Sequence, residues 1–544
     1  MSEQPYDFDV IVAGAGPVGL TMTIDLGRRG IRTMIMERDP GTAPWPKMDR
    51  SNARTMEIYR RMGIVDRVRA LGYPGDNPMD VLLVRTMNER AIANIPFASV
   101  DEKRALVKAT NDGTIPLEPY QLVSQNAIEP LLRRVAEHET PNTTVRYGLE
   151  LIGLDQDETG VLVKTRRTDG SGEVETFRAR YLVGCDGGRS TVRKTLGIRL
   201  TGVSAPADLR QVIFKSKDLY ERMAAPKGRH YSFLTGGALV AQGCRTEFTF
   251  HTPLPEDTDF EKVLRDLIGF DCEIKIEHIL TWRAHLRLAE RYREGRVLMA
   301  GDAVHLVIPT GGLGMNTGIG DAVDLSWKLA GTIQGWGGAE LLNSYELERR
   351  PVAARNIEAS GWAADGANYW PNTITREVYE FGPAGDAARA RLAATFMNQH
   401  GRMHGMVGAE TCYSYAGSTL VAHEPGNQAH WEFSRIVPHG RPGVRIPHFW
   451  LKDGSPLQDR LGNDYTLLDL TGTYDSSAME AAFAAIGAPL EVVRMDESHI
   501  RKVLKGSVFL LRPDLHIAWR GQGYPESIEE IARVATGHGA GFQV

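Results

Sequence analysis

Cysteine is scarce: four residues in 544, at 185, 244, 272 and 412, with no CxxC pair among them. That spacing argues against a disulfide framework and against a thiolate zinc site, and it suits a reducing cytoplasm. No apolar run approaches the roughly 20 residues that cross a bilayer. The acidic opening MSEQPYDFDV lacks the apolar core of a signal peptide. A cytoplasmic protein without membrane contact is therefore expected. Charge of one sign is missing too: 63 Lys and Arg against 68 Asp and Glu leave −5, which is no electrostatic footprint for nucleic acid. Repeats and low-complexity tracts are absent. What remains is an ordinary globular composition, 42% hydrophobic and 24% charged, in a chain long enough for two or three domains.

What is present in quantity is glycine, 57 residues, and its placement is informative. The stretch 295–321 reads GRVLMAGDAVHLVIPTGGLGMNTGIGD. Val297–Ala300 has the length and flanks of a buried strand. Gly301 and Asp302 close it, Pro309 marks a turn, and Gly311, Gly312, Gly314 and Gly318 lead into a helical pattern with Ile319, Val323, Ser326 and Ala330 on one face. Strand, acid, Pro-Gly loop and helix start can seat a flat ligand with polar edges. Glycine permits close backbone approach, and free N–H groups at a helix start hold negative charge.

Near the beginning, Asp9–Ala13 reads as a buried strand, and Gly14-Ala15-Gly16-Pro17-Val18-Gly19 turns from it into a helix ending at Gly30. Ile31–Met36 forms the next parallel strand, with Glu37 and Arg38 at its tip. This is GxGxxG in its full βαβ context. Gly14 makes the turn, Gly16 lets backbone meet a pyrophosphate, and Gly19 permits close helix packing. Glu37 would accept hydrogen bonds from an adenosine ribose, which suits FAD or NAD and disfavours a 2′-phosphate.

Lys47, Asp49, Arg50 and Arg54 form a charged cluster ahead of a helix over 55–62, and residues 80–105 read as a hairpin outside the nucleotide fold. Segments 145–154, 160–167 and 174–180 suggest a small antiparallel meander. Tyr181–Gly184 is another buried strand, turned by Cys185-Asp186-Gly187-Gly188-Arg189-Ser190 into a short helix. Between 205 and 282 the pattern becomes short alternating strands, an antiparallel sheet able to roof a pocket. Its candidate substrate contacts are His230, Tyr231, Phe233, Arg245, Trp282 and His285. Helices follow to 410, with a charged bend at Pro351. Residues 411–445 read as a linker, and the tail returns to mixed strands and helices.

Three of these pieces, GAGPVG with Glu37, CDGGRSTVR, and GDAVHLVIPTGGLGMNTGIGDA, resemble in order and spacing the flavoprotein aromatic hydroxylases. These are single-component FAD monooxygenases that use NAD(P)H. The tail, with RPGVRIPHFWL and LLRPDLHIAWR, resembles the thioredoxin-like domain of the phenol hydroxylase branch, without CxxC and hence without redox activity. The resemblance implies an α/β protein with a Rossmann-like FAD-binding domain of para-hydroxybenzoate hydroxylase type at 1–204 and 287–410, and a substrate sheet at 205–286. A linker at 411–445 and a thioredoxin-like domain at 446–544 would complete it. It further implies that Gly14, Gly16, Pro17, Val18, Gly19, Glu37 and Arg38 hold the ADP half of FAD. Asp302, after Gly301, would bind the ribityl chain, and Pro309 would lie against the reactive flavin face. Gly312, Gly314, Met315 and Asn316 would present backbone N–H groups to the pyrimidine edge, with Lys47, Arg54 and Gln125 as further contacts. Asp186, Gly187 and Arg189 would serve FAD and NAD(P)H together.

The implied chemistry is hydroxylation of a phenolic ring by O₂ through a flavin C4a-hydroperoxide in a closed, dry site. A phenolate reacts far better than a phenol, so a base is useful, and Asp49 matches the aspartate that fills this role in phenol hydroxylase-like members. No metal is implied, and a homodimer is expected. The competing readings are a same-fold double-bond reductase or halogenase, although the WxWxIP halogenase motif is absent, and a non-catalytic flavin sensor.

Overall fold

The computed structural model describes residues 6–44, 48–243, 245–426, 432–523 and 527–541. Lys47 and Cys244 fall outside them.

The first strand, Phe8–Ala13, is almost wholly buried and pairs in parallel with Thr33–Glu37 on one side and Val174–Gly184 on the other. Thr143–Tyr147 and Val297–Met299 extend the parallel sheet at its two edges. Helices Pro17–Arg28, Gln125–His138 and Gly314–Gln334 cover it. The helix over 17–28 starts with Pro17 at a position where no N–H is needed. The expected antiparallel meander is present as Leu149–Gln156, Val161–Arg167 and the start of Val174–Gly184. Its first strand starts at 149 rather than 145, because Thr143–Tyr147 is a separate parallel edge strand. Alternating polarity marks a half-buried strand but carries no information about its partner's direction.

A second, seven-stranded sheet runs in the order Lys275–Trp282, Leu209–Lys215, Glu247–Thr252, Ala238–Ala241, His230–Phe233, Val81–Val84, Ala93–Ile95. The hairpin 81–95 thus supplies two of its strands, through a parallel pairing of Val81–Val84 with His230–Phe233. One face packs on helix Phe260–Ile268 in a core that includes Tyr231, Phe233, Phe214, Phe248 and Phe250.

Pro351 does not end the helix: Ala339–Tyr369 is continuous through it. Glu348, Arg349, Val352, Ala353, Arg355 and Asn356 around it are all buried, and that packing outweighs the ~3 kcal/mol a mid-helix proline costs.

The stretch 411–445 is not a loose tether either. Tyr413, Tyr415, Leu420, Val421 and Ala422 are buried, and Ala422 N–H donates to Ala518 in the tail at 2.8 Å. Its prolines and glycines make turns within a packed segment. The tail itself forms a four-stranded sheet, Leu490–Arg494, Tyr465–Asp469, Val508–Leu511, Ile517–Gly521. It carries helices Ser477–Ile486 and Ile528–Ala535, together with an unforeseen helix, Ser498–Leu504. The tail docks on the nucleotide-binding fold through buried charge: Arg512 meets Glu348 and Asp324, and Arg445 meets Glu57.

Candidate functional site

Three turns that are far apart in sequence meet at the C-terminal ends of the parallel strands, where ligands of such sheets bind. Gly14 adopts φ +103°, and a Cβ there would lie 2.4 Å from the Cys185 carbonyl oxygen. Helix 314–334 comes so close that a Cβ on Gly318 would sit 2.9 Å from the Gly301 Cα and 2.6 Å from Val18. Asp321 Oδ2 accepts the Gly301 N–H at 3.1 Å, and its side chain is itself fixed by Arg349 and His305.

At the nucleotide end, Glu37 Oε2 accepts the Ala15 N–H at 2.9 Å and Oε1 accepts that of Asp39 at 3.2 Å. Each oxygen keeps a lone pair for a ribose hydroxyl. A Cβ on Gly16 would face open space, and the helix beginning at Pro17 has no side-chain cap, so its N–H groups are available to a diphosphate. Asp186 caps helix Thr191–Thr195 with Oδ2, at 2.6 Å from the Thr191 N–H. Its Oδ1 is buried with no partner among the described residues. Gly187 holds the turn at φ +77°, and Arg189 is exposed beside it. An orphaned carboxylate oxygen, an open Gly16 face and an uncapped helix start fit a bound dinucleotide. Arg38 points outward, within 3.8 Å of Asp39. Gln125 begins its helix and donates to Glu129 at 2.6 Å, and Glu129 accepts the Ala43 N–H.

At the ring end, Asp302 is exposed in the turn Gly301–Ala303. Pro309 is exposed at a turn closed by the Gly312 N–H on its carbonyl, 2.9 Å away. Helix Gly314–Gln334 starts with neither a side-chain cap nor an acid in its first turn, which leaves Gly314, Met315 and Asn316 able to meet an anionic ring edge. The Asn316 side chain is committed elsewhere. Its Oδ1 accepts from Asn52 N–H (2.9 Å) and Thr55 (2.7 Å), and its Nδ2 donates to the Arg50 and Gly312 carbonyls. This amide fastens segment 50–55 to the loop that bears Pro309.

Arg54 belongs to a different set of contacts. Its guanidinium is buried, donates to the Asp514 carbonyl at 2.8 Å and reaches Tyr413, so it ties this segment to the tail.

The second sheet joins segment 49–55 through the ion pair of Asp49 with Arg229, and strand alternation sorts the six candidate substrate contacts. Tyr231 and Phe233 point into the hydrophobic core behind the sheet, where the Tyr231 hydroxyl accepts the Gly228 N–H. Arg245 is exposed at a hairpin turn with φ +62°. Trp282 ends the outermost strand, and His285 pairs with Ser204 in a separate three-stranded sheet. His230 lies on the face opposite that core, in register with Val240 and Thr249, and His251 shares it in register with Ala238; Trp282, paired with Leu209, is on that face too, but at the sheet's edge.

Asp49 forms an ion pair with Arg229, the residue just before His230. Arg50 lies over the Tyr120 ring and meets Glu410 at 2.8 Å. His404 packs against His230 at 4.8 Å between ring centroids and against Phe97 at 5.0 Å. His400 stacks on Phe396. Burial holds all four imidazoles neutral. His251 and His400 are pushed down to about 4, and His230 and His404 lie well below the ordinary histidine range, with neighbouring cations adding to the effect. Arg229, His251, His400 and His404 were not expected at the site. The two histidines in QHGRMHG, four residues apart, were the one visible hint, hidden in a stretch read only as helix.

Comparison with known proteins agrees with this geometry. Residues 7–360 match the FAD binding domain family and residues 439–538 the aromatic-ring hydroxylase C-terminal family. FAD-dependent monooxygenase apdD of Emericella nidulans is 32% identical over 561 residues, covering 96% of this chain and 89% of that one. Aklavinone 12-hydroxylase RdmE of Streptomyces purpurascens is 32% identical over 551 residues, covering 95% of each. Among solved structures, RebC soaked with chromopyrrolic acid and holding 7-carboxy-K252c superposes with a TM-score of 0.88 at 31% identity, over 98% of this chain and 100% of that one. The turns that close around a dinucleotide, and the tail that follows them, are those of one lineage: the chain belongs to the FAD-dependent aromatic-ring monooxygenases.

Proposed function

We propose that this enzyme hydroxylates a phenolic ring with NADPH as reductant, and that Asp49 takes the phenol proton. The observation that carries the reading is the seam at Asn316. The segment starting at Asp49 is hydrogen-bonded directly to the loop and helix start at 312–316, so a ring held at Asp49 sits beside Pro309. When bound, FAD stores two electrons from the reductant and activates O₂ for delivery of one oxygen atom. The chain's own residues do the rest. Arg229 holds Asp49 by one oxygen, Oδ2, which leaves Oδ1 for the phenol. Removing the phenol proton makes the ring a better nucleophile, an effect of about 10²–10⁴ in rate. The aromatic and imidazole surfaces of Phe97, His230 and His404 exclude water. Glu37 disfavours a 2′-phosphate in the first nucleotide site, so NADPH docks transiently elsewhere, with the exposed Arg189 as a cationic contact for its phosphate.

The test is a panel of phenols scored on the holoenzyme for stimulated NADPH oxidation and for hydroxylated product by mass. Asp49→Ala is expected to keep FAD while NADPH consumption outruns product. Product formation still matching NADPH in that variant would refute the base assignment, and a panel that never stimulates oxidation would refute the phenolic substrate.

A further inference from the structure

The turn that carries Asp302 is clamped from behind by one buried carboxylate. Asp321 Oδ2 meets the Gly301 N–H at 3.1 Å and His305 Nε2 at 2.7 Å, so both ends of segment 301–305 rest on the same oxygen. The Gly301 N–H lies just past the last ladder bond of its strand, Ala300 N–H to the Gly184 carbonyl. Gly301 stands at φ +64°, where a residue with a side chain would be strained. Between the two anchors the Val304 N–H closes on the Gly301 carbonyl at 2.9 Å. The exposed Asp302 therefore sits on a turn fixed at each end.

The carboxylate is held in its turn. Its Oδ1 accepts from Arg349 Nε at 2.8 Å, and Arg349 Nη2 donates to the Thr317 carbonyl on the same helix at 2.9 Å. Gly320 makes room for this, since a Cβ there would lie 2.7 Å from Arg349 Nη2. Burial opposes ionisation of Asp321, and Arg349 and His305 overcome it. A carboxylate only accepts, so His305 carries its hydrogen on Nε2. The other ring nitrogen, Nδ1, is buried with no partner among the described residues, which commits the imidazole to Asp321. A buried polar atom left unpaired is costly, and an apolar side chain of similar size would fill the space without that cost. What the histidine adds is its grip on the carboxylate.

We infer that His305 is a positioning residue of the flavin site: acting through Asp321, it sets how the Gly301 turn presents Asp302 to the ribityl chain. With 0% of its surface exposed, His305 cannot touch the cofactor itself. The inference rests on Asp302 as the ribityl contact and is independent of which ring is hydroxylated.

The dissociation constant for FAD is read by diluting the holoenzyme and following the flavin fluorescence that appears on release. Stability is read separately, as the urea midpoint by circular dichroism with FAD in excess. Asp302→Ala and His305→Leu are each expected to weaken FAD binding about tenfold or more. In the double variant the two losses should not multiply. Its constant should stay within about threefold of Asp302→Ala alone, because residues that act on one contact are not additive. His305→Gln, which keeps an N–H able to reach Asp321, should recover part of the affinity. A merely structural histidine would lower the urea midpoint and leave the FAD constant within about twofold of native, and that result would overturn the inference. So would a double variant whose loss is the product of the two single losses. Should His305→Leu fail to fold, Asp321→Asn, which removes the charge with little change of size, goes through the same cycle with the same expectations. Native affinity in Asp302→Ala would also overturn it, by removing the contact that the turn presents.

Discussion

The clearest energetic test concerns the joint between tail and nucleotide-binding fold. Arg512 is fully buried and makes five bonds: to Glu348 at 2.6 and 2.8 Å, to Asp324 at 3.0 Å, and to Asp514 at 2.8 and 3.2 Å. Lys328 is the other cation, 2.8 Å from Asp324 and 2.6 Å from Glu348. Burial pushes Asp324 up from the ordinary carboxylate range, against the pull of Lys328 and Arg512 on its two oxygens. Burial works against ionisation of Glu348 as well, but Arg512 and Lys328 overcome it and bring that group down to about 2. The same arginine holds Asp514 well below its usual range despite burial. Three carboxylates therefore share two cations. Arg512→Met keeps much of the side-chain volume above Trp327 but leaves Glu348 and Asp514 with Lys328 alone. Removing one partner from a buried pair costs about 3–5 kcal/mol. Because Asp324 lies on the helix whose first turn we assign to the flavin, the loss should appear where FAD leaves. The assay is a urea titration of holoenzyme followed by flavin fluorescence, read on the FAD-releasing transition since a chain of several domains need not unfold in one step. The midpoint should fall by an amount equivalent to a few kcal/mol, and adding Glu348→Gln should recover part of it. An unchanged midpoint in Arg512→Met would refute this account of the joint.

Other outcomes follow from single features. Gly14→Ala should abolish FAD retention, because its φ of +103° and the 2.4 Å approach to Cys185 leave no room for a methyl. Gly16→Ala should fold with near-native stability, its methyl meeting no protein atom, yet bind FAD more weakly; equal flavin content in the two variants would contradict the placement of the diphosphate. Acid should weaken the fold in a defined window. His251 and His400 titrate near 4 in the folded protein against about 6.5 unfolded, so the unfolded chain binds more protons between those values. Their contribution is complete above pH 6.5 and is lost on acidification, by about 1.4 kcal/mol per pH unit for each histidine and roughly 3 kcal/mol each by pH 4. Glu348 adds a separate loss only below about pH 4.5. Urea midpoints measured from pH 7.5 to 5 check the first window, and a flat profile there would be inconsistent with neutral buried imidazoles.

Much was legible in the linear chain. The GxGxxG turn, the strand ends at Asp186 and Asp302 and the Pro309 loop appear as predicted, because each is built from neighbours whose backbone demands are local. Most strands of the second sheet were readable from alternation for the same reason. The helix continues past Pro351, and residues of 411–445 such as Tyr413 and Leu420 are buried, because local propensity is a weak term that burial overrides. The candidate substrate residues split for a related cause. Period-two alternation says that His230 and Tyr231 face opposite ways, but only the position of helix Phe260–Ile268 shows which face is core.

The chain's own order of glycines, acids and prolines thus determined that a dinucleotide would be held, and where the turns between its strands and helices fall. Tertiary structure alone decided which distant side chains meet: Asp49 with Arg229 across 180 positions, His230 with His404, and, at the joint with the tail, Arg512 with Glu348 across 164. The physical reason is that turn geometry is set by steric limits within a few residues, whereas these contacts exist only once two sheets and a tail have packed and removed water from between them.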